Sequence, residues 1–246
     1  MDSVKNLLQG EFEVKKIEEN GKDVRNIFFE IENISYMPGQ FLMLGFPNEA
    51  EDKKKRRAYS ISSSPTETAI TKLVSVTIKL VEGGYFTPKI FAPSFGEGSK
   101  LFVSGPFGHP IFRTSSVKSV VFFAAGSGIA PIRSAMKYIY DTMHDTKVTL
   151  FYSFRKPENF IFEKEINEML KNPNFKGFIT VTRYTGDDWK GLRGRIDKNL
   201  IWDNIKGNED LFFLCGSMTF VKEIKRILVE DIKVDKSKIF AEAAGE

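Results

Sequence analysis

One change of rhythm divides this chain. Up to about residue 112, apolar and polar residues alternate with a period of two; from residue 117 the apolar residues come in solid runs, each followed by an amphipathic stretch. The first pattern belongs to half-buried antiparallel strands, the second to a parallel sheet covered by helices on both faces. The 246 residues leave room for two such units, each with its own core. The expectation is therefore a six-stranded antiparallel β-barrel over residues 1–112, then an α/β domain over residues 117–246, with the boundary near 112–116.

In the first unit, strands are expected at 12–17, 24–31, 40–44, 59–63, 72–81 and 100–103. Asn20-Gly21, Pro38-Gly39 and Glu82-Gly83-Gly84 punctuate them as turns. One short helix interrupts, with Thr87 as N-cap and Pro88 at its first position. In the second unit an apolar strand at 117–125 runs through Gly126-Ser127-Gly128-Ile129-Ala130-Pro131 into a helix reaching about Asp141. Strands at 147–154, 178–183, 210–215 and 238–243 follow, with helices at 159–171 and 219–230.

Composition removes several classes of function. The lone Cys215 rules out an internal disulfide and cannot by itself hold an iron–sulfur cluster or a structural zinc. His109 and His144 lie far apart in sequence, which argues against a histidine-based metal site. Redox chemistry would then need an organic cofactor or a partner protein. The net charge of +4, from 36 basic and 32 acidic residues, is too mild and too evenly spread for nucleic acid as the main partner. The densest apolar run, 120–125, is too short to span a bilayer, and the first residues lack the apolar core of a signal peptide, so a cytoplasmic protein is expected.

Three places carry chemistry. Arg57-Ala58-Tyr59-Ser60 sets a permanent cation, a flat ring and a hydroxyl side by side on a strand, after the basic run Lys53-Lys54-Lys55-Arg56. Taken alone it reads as ordinary sheet more readily than as a holder of a cofactor with phosphate at one end and a planar ring at the other; the lysines read as a solvated loop before a docking patch for an acidic protein. Gly84-Tyr85-Phe86-Thr87 opens a helix, where glycine and unpaired amides suit phosphate, though a plain capped turn has the same form. Gly126-Ser127-Gly128 and Cys215-Gly216-Ser217 both fall at carboxyl ends of expected parallel strands, where open α/β sheets bind ligands. Core packing is the plainer explanation for Cys215 taken alone.

In order, Arg57-Ala58-Tyr59-Ser60, Gly84-Tyr85-Phe86-Thr87, Gly105-Pro106-Phe107-Gly108, Ala125-Gly126-Ser127-Gly128-Ile129-Ala130-Pro131 and Leu214-Cys215-Gly216-Ser217 resemble the successive signatures of the ferredoxin–NADP reductase family, over nearly the whole chain. The resemblance implies a flavin-binding barrel and a nicotinamide-binding α/β domain. It places Arg57 on the flavin pyrophosphate, Tyr59 against the isoalloxazine ring and Ser60 near its reactive N5. Thr87 and the amides around Gly84, Tyr85 and Phe86 would take the pyrophosphate from the other side, which favours FAD over FMN. The turn from Gly126, Ser127 and Gly128 to Pro131 would hold the nicotinamide dinucleotide, with Cys215 and Gly216 placing its ring. Arg155 and Arg183, beside Ser153, stand where a 2′-phosphate would sit, so NADPH is favoured and NADH stays open.

The activity so implied is hydride transfer from NAD(P)H to FAD, then release of electrons to a separate carrier: ferredoxin, flavodoxin or an oxygenase component. The alternatives are a reductase of free flavin or ferric chelates and a non-catalytic flavin-binding subunit. Many members carry a Glu followed two positions later by an aromatic residue over the flavin. Here Glu242, the expected nearby carboxylate alongside catalytic Ser60 and Cys215, is followed by Ala243, Ala244, Gly245 and Glu246, so an open flavin face with leakage to oxygen is expected.

Overall fold

A computed structural model describes residues 8–49, 51–112 and 117–243. The expected boundary segment 113–116 and the tail after Ala243 lie outside the described residues. Six antiparallel strands make the first sheet: β1 (Leu8–Glu19), β2 (Val24–Glu30), β3 (Phe41–Gly45), β4 (Arg57–Ser60), β5 (Leu73–Lys79) and β6 (Lys100–Phe107), in the order β4-β3-β6-β1-β2-β5. The ends of that order meet. Ile61 bridges Val76, and the Ser62 N–H donates to the Ser75 carbonyl at 2.8 Å, so the sheet closes into a barrel. Register slips at Val14/Lys16 and Phe41/Met43 mark β-bulges, which bend strands as closure demands. Val14, Ile27, Phe29, Leu42, Leu44, Val76 and Leu101 fill the interior.

Two helices interrupt the barrel, one more than the sequence pattern led us to expect. α1 (Pro65–Thr71) starts from a capping box: the Ser64 hydroxyl accepts from the Glu67 N–H, and Glu67 accepts from the Ser64 N–H at 2.8 Å, with proline in the first turn. α2 (Thr87–Ile90) lies where expected, but Thr87 is not its cap. Phe86 takes the cap position, and the Thr87 hydroxyl instead accepts from the Val81 N–H at 2.9 Å and donates to the Val81 carbonyl at 3.2 Å, closing the loop before the helix.

The second sheet is wholly parallel. Its strands are β7 (Ser119–Ala125), β8 (Lys147–Phe154), β9 (Phe175–Val181), β10 (Leu192–Arg193), β11 (Leu211–Gly216) and β12 (Ile239–Ala243), in the order β10-β9-β8-β7-β11-β12. The chain runs outward from β7 to β10 and then restarts on the other side of β7 with β11. The topological switch point is therefore the gap between β7 and β11. Alternate residues of each strand feed two cores. Phe122, Leu150, Tyr152 and Phe213 meet α3 (Ile129–Thr142) and α4 (Glu163–Met169); Phe123, Phe151, Phe212 and Leu214 meet α5 (Lys198–Trp202) and α6 (Met218–Arg226), which continues as a π-helical turn, Ile227–Asp231. The short β10 and α5 are additional to the expected elements.

Val24 of the barrel and Ile111 and Phe112 after β6 belong to the same apolar cluster as α3, so the two sheets share a core. Polar bonds reinforce the seam: the Lys22 N–H donates to the Glu158 carbonyl at 2.7 Å, and the Phe162 N–H to Asn20 Oδ1 at 2.7 Å. Beneath it the buried Tyr36 hydroxyl meets Ser63 Oγ at 2.9 Å and Thr68 Oγ1 at 2.8 Å. Burial pushes that phenol up to about 12, so it stays protonated. Removing it takes away the hydroxyl that joins Ser63 and Thr68, which keep their bonds to the Ser75 N–H and the Leu73 carbonyl. Tyr36→Phe should cost about 0.5–1.5 kcal/mol in denaturant unfolding; a midpoint equal to that of the unaltered protein would show that those remaining bonds suffice.

Candidate functional site

The site is built from strand ends. β7 stops at Ala125, Gly126 takes φ +54°, and a tight turn, Gly126–Gly128, leads into α3. A β-carbon on Gly126 would meet nothing within 4 Å, so the backbone there is open to a bulky anion. Gly128 is the opposite case. A β-carbon there would lie 2.2 Å from the Cys215 carbonyl oxygen and 2.7 Å from the Gly216 nitrogen, so the turn rests directly on the end of β11. The Tyr152 hydroxyl donates to the Gly126 carbonyl at 3.2 Å and fixes the turn from below. Ser127 is half-buried in the turn, whereas Pro131 is buried in the first turn of α3, where its missing N–H costs nothing. A β-carbon on Gly216 would sit 2.9 Å from that of Ala125, which closes the contact from the other side.

Cys215 is 3% exposed and pairs in register with Ala124 of β7 and Glu242 of β12. Burial first, and the Glu242 charge second, push its thiol far up, so it is a neutral thiol at physiological pH. Glu242 is also desolvated, and its carboxyl rises to about 7. The end of β12, next to the switch point, thus holds a group that gains or loses a proton near neutrality.

On the barrel, β4 pairs with β3 so that Arg57 faces Leu44, Tyr59 faces Leu42 and Ser60 faces Phe41. Arg57 is exposed, and its guanidinium donates to the carbonyls of Lys54 at 2.7 Å and Arg56 at 2.9 Å. It can leave these neutral acceptors for a phosphate at small cost. Tyr59 is half-buried, its ring centroid 5.7 Å from that of Phe86. Phe86 itself is 2% exposed and packs on Phe46 as well, so it belongs to the core and offers a ligand only main chain. Since Thr87 spends its hydroxyl on Val81, this segment too can offer an anion chiefly N–H groups. A β-carbon on Gly84 would crowd the Val81 carbonyl at 3.0 Å. Tyr85 stays on the surface with Lys89 Nζ 4.1 Å from its ring centre; Lys89 and Lys55 both pair with Glu49. Of the basic run, Lys53 and Lys54 are exposed, capped by Asp52, whereas the Arg56 guanidinium lies over the Phe102 ring at 4.4 Å.

Arg155 and Arg183 are both exposed and adjacent, the Arg183 N–H donating to the Arg155 carbonyl at 2.9 Å. β9 ends at Val181, so Arg183 lies in the loop beyond it rather than in the strand expected there. Sequence reasoning missed a third cation. Burial first, and the Arg155 charge second, hold the ammonium of Lys79, at the end of β5, below its ordinary range. Among the described residues no cluster of His, Cys, Asp and Glu is placed to hold a metal, and no helix is long and apolar enough to cross a membrane.

An open glycine turn at the switch point of a parallel sheet, close to β5 of a barrel whose β4 carries an available guanidinium, fits one class: a two-domain oxidoreductase built for two dinucleotides. Comparison with known proteins agrees. Residues 11–112 match the oxidoreductase FAD-binding domain and residues 122–226 the oxidoreductase NAD-binding domain. The glycine betaine monooxygenase reductase subunit of Pseudomonas aeruginosa is 30% identical over 239 residues, covering 94% of this chain and 63% of that one. This chain thus spans less than two thirds of that relative's length. The FAD/NAD-binding domain of a Vibrio cholerae nitric oxide dioxygenase superposes with a TM-score of 0.81 at 20% identity, covering 96% and 98% of the two chains. A Neisseria gonorrhoeae ferredoxin NADP+ reductase gives 0.75 at 21%, covering 96% and 98%. The chain is built from the oxidoreductase FAD-binding and NAD-binding domain families and has the ferredoxin–NADP reductase-like fold.

Glu242 supplies the test of this site. Its carboxyl titrates at 4.5 in the unfolded chain and about 7 in the folded one. The folded chain therefore binds the extra proton between these values, and the stability it contributes is full below the lower one and lost as pH rises through the upper. Glu242→Gln should flatten the fall in unfolding free energy between about pH 5 and about pH 8, by on the order of 2 kcal/mol. An unchanged slope in denaturation curves at the two pH values would show that water reaches this carboxyl.

Proposed function

We propose that this chain takes a hydride from NAD(P)H at a bound FAD and passes the electrons to a separate protein carrier. The observation that carries this reading is the Gly128 contact with Cys215, which sets the open turn at Gly126 on the switch point of a sheet whose α3 is bonded to Ser62 and Ser63, just past the strand bearing Tyr59 and Ser60. A bound flavin supplies a ring that accepts a hydride and gives its electrons back singly or as a pair. The remaining tasks fall to the chain. Arg57 forks onto pyrophosphate, N–H groups at the start of α2 take its other side, and Ser60 offers a hydroxyl to the reacting edge. Gly126 leaves room for the second dinucleotide. Cys215, kept neutral, gives the ring end of that ligand an uncharged wall, and Glu242 can hold or release a proton beside it.

Arg155 and Arg183, with Lys79 close to the first, favour a 2′-phosphate and hence NADPH. For the acceptor, the exposed Lys53 and Lys54 fit an acidic protein surface. The relative in Pseudomonas is described as a monooxygenase reductase subunit, which supports an oxygenase component or its ferredoxin as that partner.

Anaerobic addition of NADPH, and separately NADH, to protein holding stoichiometric FAD should bleach the flavin absorbance, NADPH acting at lower concentration. FAD lost on dialysis would point to a reductase of free flavin, and no bleaching by either coenzyme to a non-catalytic subunit. Arg57→Ala should weaken FAD retention by roughly tenfold, about 1.4 kcal/mol, whereas Ser60→Ala should keep FAD and slow its reduction by roughly tenfold or more. Identical behaviour of the two variants would defeat this division of roles.

A further inference from the structure

Arg133 is buried in a helix face that is otherwise apolar, among Ile129, Ala130, Ile132 and Met136. A charge in such a place must be paired and fully hydrogen-bonded. Its partners come from two different domains. From the barrel, Glu67 of α1 takes both terminal nitrogens, one at 2.7 Å, and the Ser62 carbonyl accepts at 3.1 Å. From its own domain, Glu165 of α4 accepts from Nε at 2.8 Å and also from Nη2. The next residue repeats the crossing: the Ser134 hydroxyl donates to the Ser63 carbonyl at 2.6 Å.

The position of these bonds along the chain gives them a meaning beyond cohesion. Ser62 lies two residues past Ser60, and both Ser62 and Ser63 are held to Ser75 of β5, where the barrel closes. Arg133 lies five residues past Gly128 on the same rigid helix. A helical rise of about 1.5 Å per residue makes that roughly 7–8 Å, and two extended residues span about 7 Å. This clamp is therefore a short path from Gly126-Gly128 to Tyr59-Ser60, beside the direct approach of the turn to β5. The interdomain arm is also the better shielded one, the Glu67 side chain being 25% exposed against 45% for Glu165.

We infer that Arg133 and Ser134 are positioning residues for hydride transfer: by clamping the first turns of α3 to Ser62 and Ser63, they set the separation between the nicotinamide-binding turn and the flavin-facing strand. This rests on the proposed hydride-transfer reading. The two carboxylates of the cluster separate positioning from mere stability, because Glu67 joins the domains and Glu165 does not.

Three variants of the FAD-loaded full chain test it: Glu67→Gln, which keeps a capping side chain for α1, Ser134→Ala, and Glu165→Gln. Glu67→Gln and Ser134→Ala should slow flavin reduction at saturating NAD(P)H by roughly tenfold or more, and should diminish the long-wavelength absorbance of the stacked flavin–nicotinamide pair. Glu165→Gln, with a comparable loss of melting temperature, should keep both. In the cofactor-free chain, amide hydrogen exchange over residues 61–64 should quicken in the first two variants alone. The inference is overturned if all three variants retain the saturated rate, if all three slow it alike, or if exchange over 61–64 does not distinguish them. Failure of the unaltered protein to be reduced by either coenzyme would instead overturn the underlying reading.

Discussion

No side chain fits at residue 128. The Cys215 carbonyl occupies the space that a β-carbon would need, so β7 and β11 are joined at their carboxyl ends by backbone resting on backbone. Everything the crevice offers follows from this contact. It places the end of β7 against the end of β11 at the one gap in the sheet where the chain reverses its outward progress, and it holds the start of α3 directly beside Cys215 and Gly216. Two residues earlier the requirement inverts: Gly126 has open space around it and a left-handed φ of +54°. One glycine is there to be touched by protein and the other to be approached by ligand, and a two-glycine turn is the shortest device that does both.

A turn so fixed would still be of little use if the barrel could drift against it. The barrel is nearly closed, with β4 and β5 meeting through Ile61 and Ser62. What it presents to α3 is this closing segment, where the carbonyls and hydroxyls of Ser62 and Ser63 satisfy β5 on one side and Arg133 and Ser134 on the other. Burial alone would push the Glu67 carboxyl up; the Arg133 guanidinium and Ser64 reverse this and keep it ionised. A buried ion pair is poor currency for stability, because desolvation cancels much of the attraction. Its value here is directional: a forked guanidinium accepts few orientations of its carboxylate, which apolar packing between Val24, Phe112 and α3 cannot specify.

Much of the architecture was legible in the chain. The switch from period two to solid apolar runs separated barrel from parallel sheet, and strand positions followed from alternation at residues such as those of β2 and β5. What alternation cannot show is where a polar run ceases to be strand. Ser62, Ser63 and Ser64 continue the expected strand in pattern, yet they leave it to close the barrel and cap α1; the capping box Ser64-Pro65-Thr66-Glu67 was the signal for that helix. Thr87 looked like an N-cap because a threonine before a proline has the right local form, but the loop from Val81 claimed its hydroxyl first. Phe86 sits inside a cofactor-like motif and packs into the core instead, since motifs do not reveal which face a side chain takes. Arg133 did have a signature, a cation among the apolar residues that open a helix, whereas the approach of Lys79 to Arg155 depends on how two domains dock and leaves no trace in either segment.

The charges fall into a pattern that follows from burial. Beside the switch point, desolvation acts in one direction on both acids: it keeps the Cys215 thiol neutral and, on the neighbouring β12, brings the Glu242 carboxyl up to about 7. Away from it Arg57, Arg155 and Arg183 are exposed cations. A dinucleotide has the same division, with charge at its phosphates and little at its ring. In the proposed reading, electrostatics would orient such a ligand end to end, its phosphates toward the exposed arginines and its ring toward Cys215. Lys79 adds a cation on the barrel side, its ammonium held below its ordinary range by burial first and by Arg155 second, with Asp23 acting the other way.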